Sequence, residues 1–519
     1  MNDFVEKTTY NPIYSYLGIT PQFSIQEYLE KKSYNEYEIL DQTHQVISCF
    51  KKYITLVDYV KYLIGKYKSD DLTILPSANL TPVGLFQEAI QSCHNYAYVD
   101  SFFYYLTDKL YQKGFKHGIQ VYDSYICIQK NVEINVADDF EYICDSNYFN
   151  EKLNTLFHFK DETVFSKKTK SPIVISEECI QLEMEELSDE LSHETGNPES
   201  KSNLSDELSD DLSDELSDDL SDDLSEIKHD HEIDDDSEIS HTDEEEEWED
   251  ESETLESMNE PMDLILVIHD IPTQVVTLEK CENTLDYLLE KNELRIEELE
   301  SAMFQVIVML YTYQELFDFT HNDLHTNNIM YNHTVEEYLF YKIKEKVYKI
   351  PTFGKIYKII DFGRSIYTVN DKILCSDSFS QHGMAYTQYN FEPFYNSQKP
   401  RLLPNKSFDL CRLGCSIIDF IIDDLEDLEK FKKVPVYELI ISWIYDDAGV
   451  NVLYKKNGED RYPDFKLYKM IARIVHKHVP ETQLEHACFE KYKIAQLDPY
   501  KESCMDIDEL IRNKFKIDS

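Results

Sequence analysis

His321-Asn322-Asp323-Leu324-His325-Thr326-Asn327-Asn328 is followed, thirty-three residues after Asn328, by Asp361 in the run Ile359-Ile360-Asp361-Phe362-Gly363. A five-residue step from Asp323 to Asn328 through a tight loop lets both side chains face one cavity, and an apolar strand from Tyr357 to Ile360 delivers Asp361 into it. A carboxylate in such a place can orient a hydroxyl and take its proton, which suits Asp323. Oxygen ligands for magnesium between phosphates suit Asn328 and Asp361. Gly363 is read as the residue that frees the chain to turn after the strand.

Working outward, residues 296–319 carry apolar side chains around most of a helix and predict one long buried helix ending just before His321. TLDYLLEK (284–291) predicts a short helix, and LILVIHDIP (264–272) and TQVVTLEKC (273–281) predict two strands. Further upstream, β-branched and aromatic residues over 45–55 predict a strand, 98–113 a helix by apolar spacing, and GIQVYDSYICIQ (118–129) another strand. Strands first and helices later predict an α+β fold. Its small sheet-rich part comprises residues 1–176 and 261–282, and its helical part residues 283–519.

Between them lies an acidic low-complexity insertion, residues 177–260, with 37 Asp plus Glu against Lys201 and Lys228. Its four-residue repeat, LSDELSDDLSDELSDDLSDDLSE, places a leucine at helical spacing, but the carboxylates repel and Ser and Asp are poor interior helix formers. The composition predicts a disordered, solvated loop expansion whose ends are tied to folded sequence, able to serve as a phosphoacceptor tract or to attract basic partners. The insertion holds most of the formal charge of −51, so the rest is only mildly acidic.

The pair HNDLHTNN (321–328) and DFG (361–363) resembles the protein-kinase superfamily, in which HRDLKxxN and DFG occupy these places. SFDLCRLG (407–414) is similar to the helix whose buried Asp supports the catalytic loop, so the resemblance gives Asp409 a structural role. DLH in place of DLK, and the long insert ending in KIPTFGKIYKIIDFG, look like the haspin-type branch and like kinases of giant DNA viruses. CFKKYITLVDYVKYLIGKY, AYVDSFFYYLTDKL and VLYKKNGEDRYPDFKLYKMIARIVHKH resemble that viral group as well.

What the resemblance implies is a bilobal protein kinase using ATP and Mg2+ on a protein hydroxyl, Ser or Thr by preference. Asp323 would act as catalytic base, His325 would stand where kinases have a phosphate-neutralising lysine, and Asn328 and Asp361 would hold metal. The lysine that reaches the α- and β-phosphates would be Lys52, with Lys51 as the alternative, because alternation puts the two on opposite faces. Its acidic partner would be Asp100 or Asp108. The hinge would fall near Leu278–Glu282, with backbone groups at Glu279 and Cys281 meeting the adenine.

Departures from the pattern carry their own expectations. No GxGxxG occurs in the first 130 residues, so a glycine-rich flap over the phosphates is missing or rebuilt. Asn322 replaces the arginine that pairs with a phosphorylated activation loop, which implies constitutive activity. No APE triplet follows DFG, and Phe391-Glu392-Pro393 takes its place. Two rival readings are a pseudokinase scaffold with an acidic arm and a small-molecule kinase of the aminoglycoside or choline type.

Eleven scattered cysteines without a CxxC pair suggest neither disulfides nor a structural metal, and Cys411 and Cys415 read as core residues. With no leader-like start and no apolar run of bilayer length, the sequence predicts a soluble intracellular protein that binds neither membrane nor nucleic acid.

Overall fold

The structure, a computed structural model, describes residues 4–69, 72–161, 263–422, 428–455, 457–495 and 503–513. The predicted acidic insertion at 177–260 lies outside the described residues. Strand β1 (Phe4–Thr8) leads into α1 (Pro12–Leu17), where Asn11 caps the helix by accepting the Ile13 N–H at 3.0 Å and Pro12 fits the first turn. Strands β2 (Ile25–Lys31), β3 (Glu36–Asp41) and β4 (Val46–Thr55) follow as a meander.

Two short helices, α2 (Tyr59–Leu63) and α3 (Leu85–Gln91), precede α4 (Tyr96–Gln112), capped by Asn95. Helix α4 is buried almost all round because it is gripped from several sides: Tyr14 of α1 packs edge-on against Phe102 and Tyr105, and Tyr367 Oη donates to the Val99 carbonyl at 2.8 Å.

Strand β5 (Val121–Asn135), helices α5 (Phe140–Cys144) and α6 (Asn147–Lys152), and strand β6 (Phe157–Phe159) end the first part of the sheet. The chain resumes with β7 (Ile265–Glu279), completing a seven-stranded sheet in the order β1-β5-β7-β4-β3-β2, with β6 also on β7. The two strands predicted over 264–281 are therefore one. Pro272 does not break it, because β4 has ended at Thr55, opposite Thr273, and the ladder needs no donor from position 272 on that side. The Pro272 carbonyl still accepts from the Leu56 N–H at 2.8 Å.

Strand β8 (Asn283–Thr284) opens α7 (Leu285–Glu290), and α8 (Ile296–Phe317) is the predicted long helix, buried from Leu299 to Gln314. Strand β9 (Ile329–His333) pairs with β8, then a hairpin of β10 (Tyr338–Ile343) and β11 (Lys346–Pro351) intervenes before β12 (Lys355–Ile359) returns to β9. Gln305 of α8 accepts the Tyr357 N–H at 3.0 Å, tying β12 to the helix.

Helices α9 (Phe408–Ile421), α10 (Pro435–Trp443) and α11 (Phe465–Ile474) pack around Phe408, Cys411, Cys415, Ile441 and Ile471. A Cβ on Gly414 would stand 3.0 Å from Trp443 Cβ, so glycine lets α9 sit close against α10. The architecture is mixed α+β, a curled sheet and a set of helices. Among the described residues, no helix is long and apolar enough to cross a membrane.

Candidate active site

The loop His321–Asn328 is held from below by α9. Buried Asp409 accepts the backbone N–H groups of His321 and Asn322, both at 2.9 Å, and Ser416 Oγ accepts that of Thr326 at 3.2 Å. Burial pushes the Asp409 carboxyl up to about 7 against the pull of those two bonds. Asn322, at φ 64°, bends the chain in the left-handed region. His321 Nε2 binds the Ile360 carbonyl at 2.9 Å, and Ile360 N–H reaches the Asn328 carbonyl at 3.0 Å, so loop and strand end are stitched together.

Asp361 follows directly. The turn there is made by Asp361 itself, at φ 64°, not by Gly363: glycine 363 has no positive φ, and a Cβ on it would meet its nearest neighbours at 3.9 Å. The Asp361 N–H donates to Tyr104 Oη at 2.9 Å and the Phe362 N–H to Asp100 Oδ1 at 2.7 Å, both from α4. Phe362 is fully buried against Phe103 and Tyr104, with ring centroids 4.6 and 4.9 Å away.

Lys52 of β4 reaches this corner. Its Nζ lies 2.9 Å from Asp100 Oδ1 and 2.8 Å from Asp361 Oδ1. Burial works against the ammonium, but the two carboxylates hold Lys52 well above its usual range, while Lys52 in turn keeps Asp361 below the usual carboxylate range. Asp100 is 1% exposed, and burial raises its carboxyl to about 6.

Lys51 points to the other face, its Nζ 3.8 and 4.1 Å from the ring centroids of Tyr28 and Tyr37. Asp108 accepts the Val121 N–H and the Gln112 amide and makes no contact with Lys52.

Asp323 shares the site. Its Oδ1 accepts from Tyr468 Oη of α11 at 2.8 Å, and its Oδ2 lies 3.5 Å from Arg364. Asn328 donates Nδ2 to the Asp323 carbonyl at 2.9 Å and to His325 Nε2 at 3.1 Å, which leaves its Oδ1 for another partner. The Asp361 carboxylate is about half exposed, at 52%. Asn328 Oδ1 and the Asp361 carboxylate are hard oxygen donors of the kind magnesium takes, so the residues present fit that ion.

The predicted hinge is a different case. The Glu279 carboxylate is directed away from solvent, paired with buried Lys358 at 2.5 Å and accepting from Asn332 at 2.8 Å, so its side chain is committed within the protein. Cys281 is partly buried, and desolvation followed by the charge of Glu279 pushes its thiol up to about 12. Cys411 and Cys415 lie in the core, and the described residues contain no cluster of three or more metal-ligating side chains.

Tyr104, Arg364, Arg412, Tyr389 and Tyr468 were not anticipated from sequence. Arg412 stands inside SFDLCRLG and Arg364 directly follows Gly363; the tyrosines carried no local signal, since each meets its partner from a distant element.

No family model matches the chain. Over 176 residues it is similar to one curated viral protein. That relative, "Putative serine/threonine-protein kinase R301" of Acanthamoeba polyphaga mimivirus, is 29% identical over a stretch covering 30% of this chain. The chain spans less than half of that relative's length, 43%.

Proposed function

We propose that the chain is an ATP-dependent protein kinase that moves a γ-phosphoryl group to a protein hydroxyl, Ser or Thr by preference. In this reading the β1–β7 sheet with α4 forms a small lobe, α8 to α11 form the larger one, and residues 278–282 join them as hinge. The observation that carries it is the meeting of Lys52, Asp100 and Asp361 beside Asp323 and Asn328, groups drawn from four separate stretches of chain.

Lys52, fixed by Asp100, would bind the α- and β-phosphates, and Asn328 Oδ1 with Asp361 would hold magnesium, whose charge offsets that of the phosphates. Asp323 would accept the proton of the acceptor hydroxyl as its oxygen bonds the γ-phosphorus and the bond to the β-phosphate oxygen breaks, releasing ADP. In this reading the turn between β2 and β3 (residues 32–35), tied to β4 where Asn35 Nδ2 donates to the Lys51 carbonyl at 3.0 Å, would be the flap over the phosphates. Its Lys32 and Ser33 amides both bond the Glu36 carbonyl, so they are not presented to a nucleotide. Side chains therefore carry the phosphate contacts in this reading, and weak ATP affinity follows.

The test is transfer of label from γ-labelled ATP with magnesium to casein and to a histone mixture, followed by phosphoamino-acid analysis. Asp323→Asn is expected to abolish transfer while nucleotide still raises the melting temperature. Full activity in that variant refutes the assignment.

A further inference from the structure

The cation that normally faces a transferring phosphoryl group is absent from the loop itself, where His325 stands. His325 Nε2 is 3.1 Å from the Asn328 amide nitrogen, which can only donate, so that ring nitrogen is an acceptor and presents no positive N–H there. A different positive charge lies close by. Arg412, one turn into α9, donates Nε to Tyr468 Oη at 3.0 Å, and the same hydroxyl donates to Asp323 Oδ1 at 2.8 Å. Its guanidinium carbon sits 5.2 Å from the Tyr468 ring centroid, within cation–π reach of the ring.

Arg412 is partly buried and, among the described residues, makes no direct ion pair, the Asp323 charge reaching it only across the shared Tyr468 hydroxyl. A half-buried cation with no carboxylate in direct contact leaves its terminal N–H groups open to an arriving anion, and a guanidinium keeps its charge at every working pH. The neighbouring Arg364 differs in this respect, being already engaged by Asp323 at 3.5 Å.

We propose that Arg412 supplies the positive charge that meets the transferring phosphoryl group, the task that the sequence pattern leaves to His325. The proposal rests on the phosphotransfer reading above. Arg412 would then be a catalytic residue and Tyr468 the positioning residue that aligns it with Asp323.

Two variants of the full chain separate charge from hydrogen bonding: Arg412→Lys keeps the charge, and Arg412→Gln keeps a donor for Tyr468 without it. With γ-labelled ATP and casein, Arg412→Gln is expected to lose about 100-fold in kcat, the scale of one lost transition-state donor, with KM for ATP little changed. Arg412→Lys should retain most of the activity. Equal rates for the two variants, or a loss confined to the KM for casein, would overturn the role.

A measurement on the wild-type chain guards against misfolded variants. ADP and magnesium with aluminium fluoride, a mimic of the phosphoryl group in flight, should shield Arg412 from phenylglyoxal, read by mass spectrometry, whereas ADP and magnesium alone should not. Equal labelling in both would also overturn it. If wild type and Asp323→Asn transfer label equally, the phosphotransfer reading itself falls; if wild type is active and only the Arg412 results fail, that reading survives.

Discussion

Lys52 Nζ bridges Asp100 Oδ1 at 2.9 Å and Asp361 Oδ1 at 2.8 Å, so one ammonium joins a β-strand, a buried helix and the segment after β12. Asp100 also accepts the Phe362 N–H, which means that strand, helix and turn hold a single arrangement together. Removing the ammonium leaves a carboxylate that is 1% exposed without its cation, a change that costs about 3–5 kcal/mol when such pairs are broken. Lys52→Met is therefore expected both to abolish label transfer and to lower the melting temperature. Lys52→Met combined with Asp100→Leu should recover much of the stability and none of the activity. Transfer at the wild-type rate in the double variant would show that Lys52 has no part in binding phosphate.

How far the sequence reached follows from the range of each contact. Asp323, Asn328 and Asp361 were legible because short-range spacing and one apolar strand bring them together. The choice of Lys52 over Lys51 was not decidable from alternation, which assigns opposite faces without saying which face meets α4. Asp100 and Asp108 were likewise equivalent by residue type, and only the placement of α4 directs Asp100 to Lys52 and Asp108 to the Val121 amide. Tyr468 was invisible because it meets Asp323 across 145 residues. The turn at Asp361 was credited to Gly363 because glycine is the usual occupant of a left-handed position, whereas here the aspartate occupies it, supported by bonds from α4.

The described chain leaves β6 and re-enters β7 as neighbours: Phe159 pairs with Leu266, and the Lys160 N–H donates to the Ile265 carbonyl at 2.9 Å. A short linker can close such a gap at little entropic cost. Replacing residues 162–262 with a few Gly and Ser residues is expected to leave cooperative melting within about 2 °C of wild type, a change of roughly 2 kcal/mol or less for a folded part of this size. Label transfer to casein should persist. Loss of the melting transition would mean that the removed residues contribute to the folded part.

His117 couples pH to the strand that carries Asp361. Fully buried, it places Nδ1 2.8 Å from the Tyr357 carbonyl of β12 and Nε2 2.8 Å from Tyr341 Oη. A carbonyl only accepts, so Nδ1 carries the proton, and Nε2 accepts from the hydroxyl of a neutral ring. Burial depresses its pKa to about 3. The unfolded chain binds a proton near 6.5 and the native ring does not, so the stability from this group is whole above that pH and is lost as pH falls toward 3. His117→Asn should cost about 1–3 kcal/mol at pH 7.5, and the gap from wild type should narrow steadily by pH 5. Denaturant melts at several pH values check this; a gap that stays constant or widens on acidification contradicts the neutral buried ring.

If the proposed function holds, Asn322 stands in place of an arginine that would need a phosphate, and its side chain is already satisfied within the protein. Its Oδ1 accepts from Tyr389 Oη at 2.9 Å, while Nδ2 donates to the Thr320 hydroxyl and the Arg364 carbonyl, each at 3.0 Å. Tyr389 is itself buried beside Phe379 and Phe391, so the segment after Gly363 is pinned to the loop His321–Asn328 by a side-chain hydrogen bond and apolar packing. No negative charge is required to order it. Protein treated with a broad phosphatase should keep its rate of label transfer within about twofold, less than 1 kcal/mol in barrier height. Tyr389→Phe, which leaves the Asn322 carbonyl oxygen unpaired in a buried site, should lose about 1–3 kcal/mol of stability and slow transfer in proportion to the disordered fraction. A collapse of activity on phosphatase treatment, with Tyr389→Phe unaffected, would show that a covalent phosphate orders this segment.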